Sequence, residues 1–577
     1  MADEAKEPEV PQEAKPSKGG GFFGDYDYKF LCLPPNPCAG QQKPPPFYEY
    51  DEPIAPFIAL IMGLQHALAM VGGIVTPPLL LAGPFEAGLG DKQQQYLVAA
   101  SLIVSGITSL VQVARIKIPG TDYYVGTGLI SVMGTSFTFL PISLAAIDQM
   151  INVEGYTGEE AYGKVLGTLI ICCFVEVILS FMKPAVLKKI FPPLITGVTV
   201  FLIGASLVGT GLRYWGGGVF CADNAGADPP ILCGGNGDVL LPYGSPEYVG
   251  LGFSVFAMLI VIDLFGSPFM RNTNVIIALL FGYMVAALTN HNGLDYVNTD
   301  KIDSAESITF LWVYTYPLGV YGPLFLPAIL GFMITTVETI GDVTATAEAS
   351  RLDVTTPDHF KRIQGGLLGD AVASFFAGLA TTLPNTTFSQ NNGVIVLTRC
   401  ASRRAGYAAG IWLLLFGILA KARAAVAAFF TSIPDCVLGG VTTFLFANVA
   451  VSGIRVLSMV DLNRRNRFIL ACSLGLGLGV TIVPAWATNA LWDCNDCSEG
   501  LRSFRDGVIL VLSTGYSLGC VVAIILNLIL PAQAADEEGD DELVLKGEAD
   551  QKAALQAEAD KPDPEAPVDS VTDAQPE

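Results

Sequence analysis

Long apolar runs, interrupted at two polar points, dominate the hydropathy pattern of this chain. In the first half they extend over Pro53–Leu81, Tyr96–Ala114, Val165–Met182, Phe191–Leu212, Tyr248–Phe265 and Val275–Leu288. A polar stretch, Thr289–Ser307, follows. The second half carries Leu324–Ile340, Gly365–Leu383, Gly406–Ala420, Val437–Val456, Phe468–Ala487 and Val508–Leu530. A spanning helix needs about 20 apolar residues, and several runs are near or below that length. Two more segments are short and broken. Tyr123-Tyr124-Val125-Gly126-Thr127-Gly128 reads as a short strand running into an apolar helix from Leu129. Thr386–Arg399 (TTFSQNNGVIVLTR) has a polar centre, Ser389-Gln390-Asn391-Asn392-Gly393, that is poor helix material. The pattern predicts an all-α polytopic membrane protein of about fourteen transmembrane segments.

Broken, polar backbone at membrane depth is tolerated only where protein buries it or where it lines a cavity. In transporters such breaks are where substrate binds, although an ordinary loop between two helices also fits the pattern. A faint duplication supports the first reading. His66 and Glu338 sit in the first run of each half, and Gly128 and Gly393 close the break in the third. Two repeats of seven spans would enter the membrane with opposite topology. With the N-terminus in the cytosol, the cytosolic loops hold sixteen Lys and Arg and the opposite loops eight. The positive-inside rule expects that bias.

Composition narrows the class. Of 577 residues, 51% are hydrophobic and 15% charged, and mean hydropathy is +0.49. Soluble domains carry about 25% charged residues. The net charge of −22 is concentrated in the ends, −5 over residues 1–52 and −12 over residues 532–577. Both ends read as solvated, disordered tails, and the acidity carries no information about a substrate. The acidic start lacks an apolar core, so no cleavable signal peptide is expected. No basic patch suggests nucleic acid. Cys221 with Cys233, and Cys494 with Cys497, could each form a disulfide in an outside loop. A lone CxxC is weak evidence for metal.

Ionisable groups inside apolar runs are costly and mark functional candidates. Glu338 and Asp342 are four residues apart and share a helix face. An interfacial acid or half of a structural ion pair is the plainer reading of each. Asp370 lies within Gly365–Leu383. For Glu176 and Asp263 structural roles are expected, and for His66 a hydrogen-bonded core position. Gln390 offers an amide with donor and acceptor edges, suited to a planar ligand with adjacent C=O and N–H groups. Glu338 would accept ring N–H bonds, and Phe137 could cover a ring face. Core or lipid packing is the alternative for Phe137. No metal-ligand cluster or nucleophile–base pair appears in the apolar runs, so an enzyme is not expected.

Gln390-Asn391-Asn392-Gly393-Val394-Ile395-Val396-Leu397-Thr398-Arg399 resembles the signature of the nucleobase–ascorbate transporters, Q/E/P-N-x-G-x-x-x-x-T-R/K/G. Gln65-His66 resembles that family's first-helix QH pair. The resemblance covers about residues 50–531 and is strongest to fungal uric acid–xanthine permeases. Asp25-Tyr26-Asp27-Tyr28 looks like their ER-exit element, and Glu542-Leu543-Val544-Leu545 loosely like an endocytic signal.

The resemblance implies fourteen helices in two inverted seven-helix repeats, with two short strands in broken helices 3 and 10. It divides the chain into a cytosolic tail (1–52), core (53–187, helices 1–4), gate (188–322, helices 5–7), core (323–430, helices 8–11), gate (431–531, helices 12–14) and an acidic cytosolic tail (532–577). It implies a plasma-membrane homodimer whose core moves against the gate as an elevator. Glu338 and Gln390 match the principal substrate-binding positions, Phe137 the stacking aromatic, and Ser389 a backbone contact. Asp370 and Asn391 match transport-critical positions, and Asp342, His66 and Gln65 positions needed for function or folding. Asn392, Gly393, Thr398 and Arg399 complete the motif. Thr514 and Tyr516 match gate positions that tune specificity. Phenylalanine is usual at the second, so Tyr516 bears on the width of specificity. Gln390 argues against the ascorbate branch, which has proline there. The implied activity is proton-coupled uptake of xanthine and uric acid, with the proton as coupling ion and no cofactor. A broader purine or uracil permease, a channel or anion exchanger on the same fold, and a purine sensor are the alternatives.

Overall fold

Caps and breakers decide where these apolar runs become helices. The computed structural model describes residues 21–24, 26–34, 46–83, 86–182, 186, 192–234, 236–298, 309–354, 356–418, 426–487, 489–491 and 497–531. The main elements are α1 Pro56–Leu81, α2 Asp91–Ala114, β1 Met133–Thr135, α3 Phe139–Asp148, α4 Gly158–Ser180, α5 Pro193–Trp215, α6 Pro246–Phe265 and α7 Asn274–Leu288. After them come α8 Phe325–Ala349, α9 Pro357–Leu379, β2 Asn385–Thr387, α10 Gln390–Thr398, α11 Arg403–Ile418, α12 Asp435–Leu457, α13 Arg464–Ile482, α14 Glu499–Ser513 and α15 Gly515–Ile529. Thr157 and Glu160 form a capping box at the start of α4. Thr356 caps α9, whose first residue is Pro357, and Asn463 caps α13. Helix α2 stops at Arg115 and α9 just before Thr381, both at positive φ.

Among the described residues, seven helices are long and apolar enough to cross a membrane. The bent pair α14–α15 makes an eighth if taken as one span. Several breaks fall where the hydropathy pattern does not show them. Val508–Leu530 reads as one run, yet its helix turns by 91° at Thr514, which is extended. The segment from Leu129 is extended through β1, and its helix begins only at Phe139. Phe137 therefore lies in the turn before α3 rather than on a half-helix. The polar Gln390-Asn391-Asn392-Gly393, poor helix material by propensity, opens α10. Helix α8 runs on to Ala349, so Asp342 is interior to it rather than at its end.

Small residues bring helix backbones together. Helices α5 and α12 form one close pair. A Cβ at Gly204 would collide with the backbone of Ala450, and one at Gly453 with that of Phe201. Without a hydrophobic drive between helices in lipid, this close packing is a main source of their association. Helix α11 packs on α1 and α2, and α13 on α15. Large apolar side chains remain exposed on α6, among them Phe253 and Leu264, as a lipid-facing surface requires.

Residues 46–52, read from sequence as part of a solvated tail, are docked. Tyr48 and Cys400 pair as a parallel bridge, with Tyr48 N–H donating to Arg399 O at 2.9 Å and Tyr48 O accepting from Ala401 N–H at 2.9 Å. Arg403 pairs with Asp51. Tyr26 is buried and donates its hydroxyl to Thr398 O at 3.2 Å. Asp25 and Glu542–Leu545 lie outside the described residues. Cys221 and Cys233 are disulfide-bonded, whereas Cys494 lies outside the described residues.

Replacing Gly204 by leucine should separate α5 from α12. Overpacking of this kind costs about 1–3 kcal/mol. The melting temperature in detergent should fall below that of the exposed control Gly209→Leu, where a Cβ meets nothing.

Candidate functional site

The two broken segments meet as strands. β1 and β2 pair antiparallel, Met133 opposite Thr387, Gly134 opposite Thr386 and Thr135 opposite Asn385. All six residues are buried. The pairing continues at both ends, with Ser136 N–H to Pro384 O at 2.9 Å and Phe388 N–H to Val132 O at 3.1 Å. Backbone that leaves the helix in a dry interior must find partners, and each strand supplies the other's. Phe388, the residue after β2, lies over Gly73 and Gly134, where any Cβ would strike its ring. Its ring is parallel to that of Phe137, with centroids 6.3 Å apart. Phe137 meets Phe446 of α12 edge-on at 5.6 Å.

β2 also delivers two hydroxyls to a group of acids, Asp370 buried and Asp342 and Glu338 half-buried. Thr387 Oγ1 donates to Asp342 Oδ2 at 3.2 Å or to Thr339 Oγ1 at 3.4 Å. Thr386 Oγ1 donates to Asp370 Oδ2 at 3.2 Å, and Thr339 donates to the same oxygen. Gln112 Nε2 reaches Asp370 Oδ1 at 3.5 Å. Thr138 Oγ1, just past Phe137, donates to Glu338 Oε2 at 3.4 Å. No Lys or Arg among the described residues forms an ion pair with any of these acids. Tyr516, on α15, donates its hydroxyl to Thr138 O at 2.7 Å and joins the last helix to the same turn. Thr514 occupies the bend before it and donates back to Leu510 O at 2.7 Å. Glu338 also lines a small, partly open pocket between α5, α8 and α15, with Thr199, Val337 and Cys520 among its other walls.

The structure thus brings together Asp342 and Asp370, held from β2, and Phe137, Glu338 and Tyr516, joined at the turn after β1. Motif residues are distributed around them. Ser389 is half-buried and Gln390 exposed, at the first turn of α10. Asn391 donates to Ile130 O at 3.2 Å, and Asn392 accepts from Thr346 Oγ1 at 2.6 Å. These bonds fasten α10 to the segment before β1 and to α8. Gly393 is exposed. Thr398 and Arg399 end the helix against the docked residues 26 and 48. Gln65 accepts from Asn272 Nδ2 at 2.9 Å, on a different side of α1 packing. His66 is fully buried with neither ring nitrogen hydrogen-bonded, contrary to the hydrogen-bonded core position expected for it. Asp263 is exposed rather than paired in the interior.

Sequence reading missed the hydroxyls. Thr138, Thr339, Thr386 and Thr387 are unremarkable in an apolar chain, and so is Phe388. The available signal was the spacing of Thr335, Thr339 and Glu338 on one helix face. No group of three or more His, Cys, Asp or Glu that could hold a metal occurs among the described residues.

Paired broken segments and intramembrane acids inside a helical membrane protein define a membrane transport protein. A model described as Permease family matches residues 57–486. The chain belongs to this family, that of the nucleobase–ascorbate transporters. It is 45% identical over 528 residues to a uric acid-xanthine permease of Emericella nidulans, covering 89% of each chain. It is 34% identical over 476 residues to the xanthine permease XanP of Escherichia coli K12, covering 82% of this chain and 92% of that one. These relatives are permeases, and the chain is a permease rather than an enzyme. Among solved structures, the transmembrane domain of the cyanobacterial bicarbonate transporter BicA aligns with TM-score 0.51 at 14% identity, over 74% of this chain and 96% of that one. That likeness concerns the fold alone.

Thr387→Val should leave Asp342 without its hydroxyl donor while keeping the side chain's shape. An unsatisfied buried polar group costs about 1–3 kcal/mol. Thermal unfolding in detergent should place the valine variant below Thr387→Ser, which keeps the donor.

Proposed function

We propose that this permease takes up oxidised purines, xanthine and uric acid, together with protons across the plasma membrane. One observation carries the reading: the turn after β1 places an aromatic ring, Phe137, next to the hydroxyl of Thr138 that holds Glu338. A purine needs a ring face to stack on and an acceptor for its ring N–H groups; the turn supplies the ring and its hydroxyl holds the acceptor, Glu338 of α8. The names of the relatives, uric acid-xanthine permease, purine permease and xanthine permease, support the same substrate class.

Gln390 is exposed on the first turn of α10, where its amide is available to a ligand's C=O and N–H edge. Ser389 offers its backbone beside it. Once bound substrate excludes water from this amide, a purine lacking the matching group would leave it unsatisfied, at a cost of about 1–3 kcal/mol, or ~5–150-fold in affinity. Oxopurines are therefore favoured over adenine. Thr514 and Tyr516 act as the gate: the Tyr516–Thr138 bond ties α15 to the binding turn and must loosen when the turn moves.

The proton is carried by the acids. Asp342, Asp370 and Glu338 are held by hydroxyls, with no cation paired to them among the described residues, an arrangement that accommodates both the charged and the protonated carboxyl. Asn391 and Asn392 hold α10 in place, while His66 and Gln65 support α1. The chain works as a homodimer with both termini in the cytosol. Its core (53–187 and 323–430) slides as an elevator against its gate (188–322 and 431–531), through fourteen spans in two inverted repeats.

Cells without endogenous purine transport, expressing this chain, should accumulate radiolabelled xanthine saturably, and a protonophore should abolish the accumulation. Glu338→Gln and Gln390→Ala should weaken it at normal surface abundance, the second by ~5–150-fold in apparent affinity. Well-expressed wild type that takes up neither xanthine nor uric acid would overturn the proposal.

A further inference from the structure

A fourth acid stands behind this group. Glu176 of α4 is fully buried, and its Oε2 has no hydrogen-bond partner. Its Oε1 accepts from Thr335 Oγ1 at 3.3 Å. That hold is divided, because the same hydroxyl also lies 3.1 Å from Phe332 O and has a single proton. Thr335 is one turn from Thr339, the donor to Asp370, and three residues from Glu338. Two successive turns of α8 therefore present a hydroxyl to Glu176 and a hydroxyl to Asp370.

Two of the helices packed against α4 carry acids of the site, Asp370 on α9 and Glu338 on α8. Asp342 lies one turn beyond Glu338 on α8. On α4 itself the thiol of Cys173 is near Glu176. No Lys, Arg or His among the described residues forms an ion pair with Glu176. A structural carboxyl would be expected to use both oxygens, since an unpaired buried polar group costs about 1–3 kcal/mol. An intramembrane acid with one idle oxygen, among other acids, fits a group whose proton comes and goes.

We propose that Glu176 is a proton-exchanging member of the acid cluster, a positioning residue that sets when Glu338 and Asp370 carry their protons without touching the substrate. When Glu176 releases its proton, a negative charge appears beside two acids, and both hold their own protons more firmly. When it regains one, that restraint is removed and they can discharge. The inference rests on the proton-coupled reading above.

Glu176→Gln tests it, because glutamine keeps the shape and can still accept from Thr335 but cannot titrate. Xanthine uptake across a range of external pH, and xanthine counterflow, are measured in membrane vesicles from cells expressing wild type or variant. The proposal expects the pH profile of uptake in Glu176→Gln to move to lower pH by about one unit, with counterflow at saturating xanthine retained. An unshifted profile with normal proton-driven accumulation would overturn it, leaving Glu176 a packing residue. Should the glutamine variant fail to reach the surface, Glu176→Met, which also cannot titrate, is read in its place. A shifted profile there supports the proposal, and an unshifted one overturns it. Wild-type uptake indifferent to a protonophore would overturn both this inference and the proton-coupled reading, so the two failures are distinguishable.

Discussion

Intramembrane acids without cations need hydroxyl donors, and the rest of this site follows from that requirement. Removing a carboxylate from water costs several kcal/mol even after relaxation. An Arg or Lys partner would offset the cost but would also fix the charge. Here Thr386 and Thr387 from β2, Thr339 from α8 and Thr138 from the turn after β1 provide the hydrogen bonds instead. A hydroxyl can donate to a carboxylate or accept from a carboxyl, so the contacts survive a change of protonation. The strand pair is what positions these hydroxyls. Its register, with Thr387 opposite Met133 and Thr386 opposite Gly134, sends successive threonines to different acids.

The same register accounts for the aromatic arrangement and the coupling to the outer helices. One residue beyond each strand end, Phe388 and Ser136 close the backbone ladder, and Phe137 follows at once. Because Gly73 and Gly134 have no side chains, the Phe388 ring can lie flat beneath this turn. Tyr516 and Phe446 then connect the turn to α15 and α12. Close glycine contacts such as Gly204 against Ala450 hold α5 and α12 together beside this turn.

Much of this was legible in the sequence, and the misses have a common physical origin. Helix runs show themselves because about 20 consecutive apolar residues have few other uses. The acids at 338, 342 and 370 stand out because charge in such runs is costly. The signature at 390–399 marked the broken segment. Hydroxyls were invisible, since a threonine on a buried face costs little and appears in any helix. Breaks governed by tertiary contact were also hidden. The strand Met133–Thr135 exists because β2 is there to pair with it, and the bend at Thr514 lies inside an unbroken apolar run. Propensity misled at Gln390, where Asn391 and Asn392 are held by Ile130 and Thr346 across the fold.

The central claim is that substrate and proton move together through this cation-free acid cluster. The most direct measurement is proton movement itself. The purified protein would be reconstituted in liposomes loaded with a pH-sensitive dye, and xanthine added outside with no imposed gradient. The account predicts that xanthine entry acidifies the lumen, and that Glu338→Gln abolishes the signal. Saturable xanthine entry with no change in internal pH would contradict it.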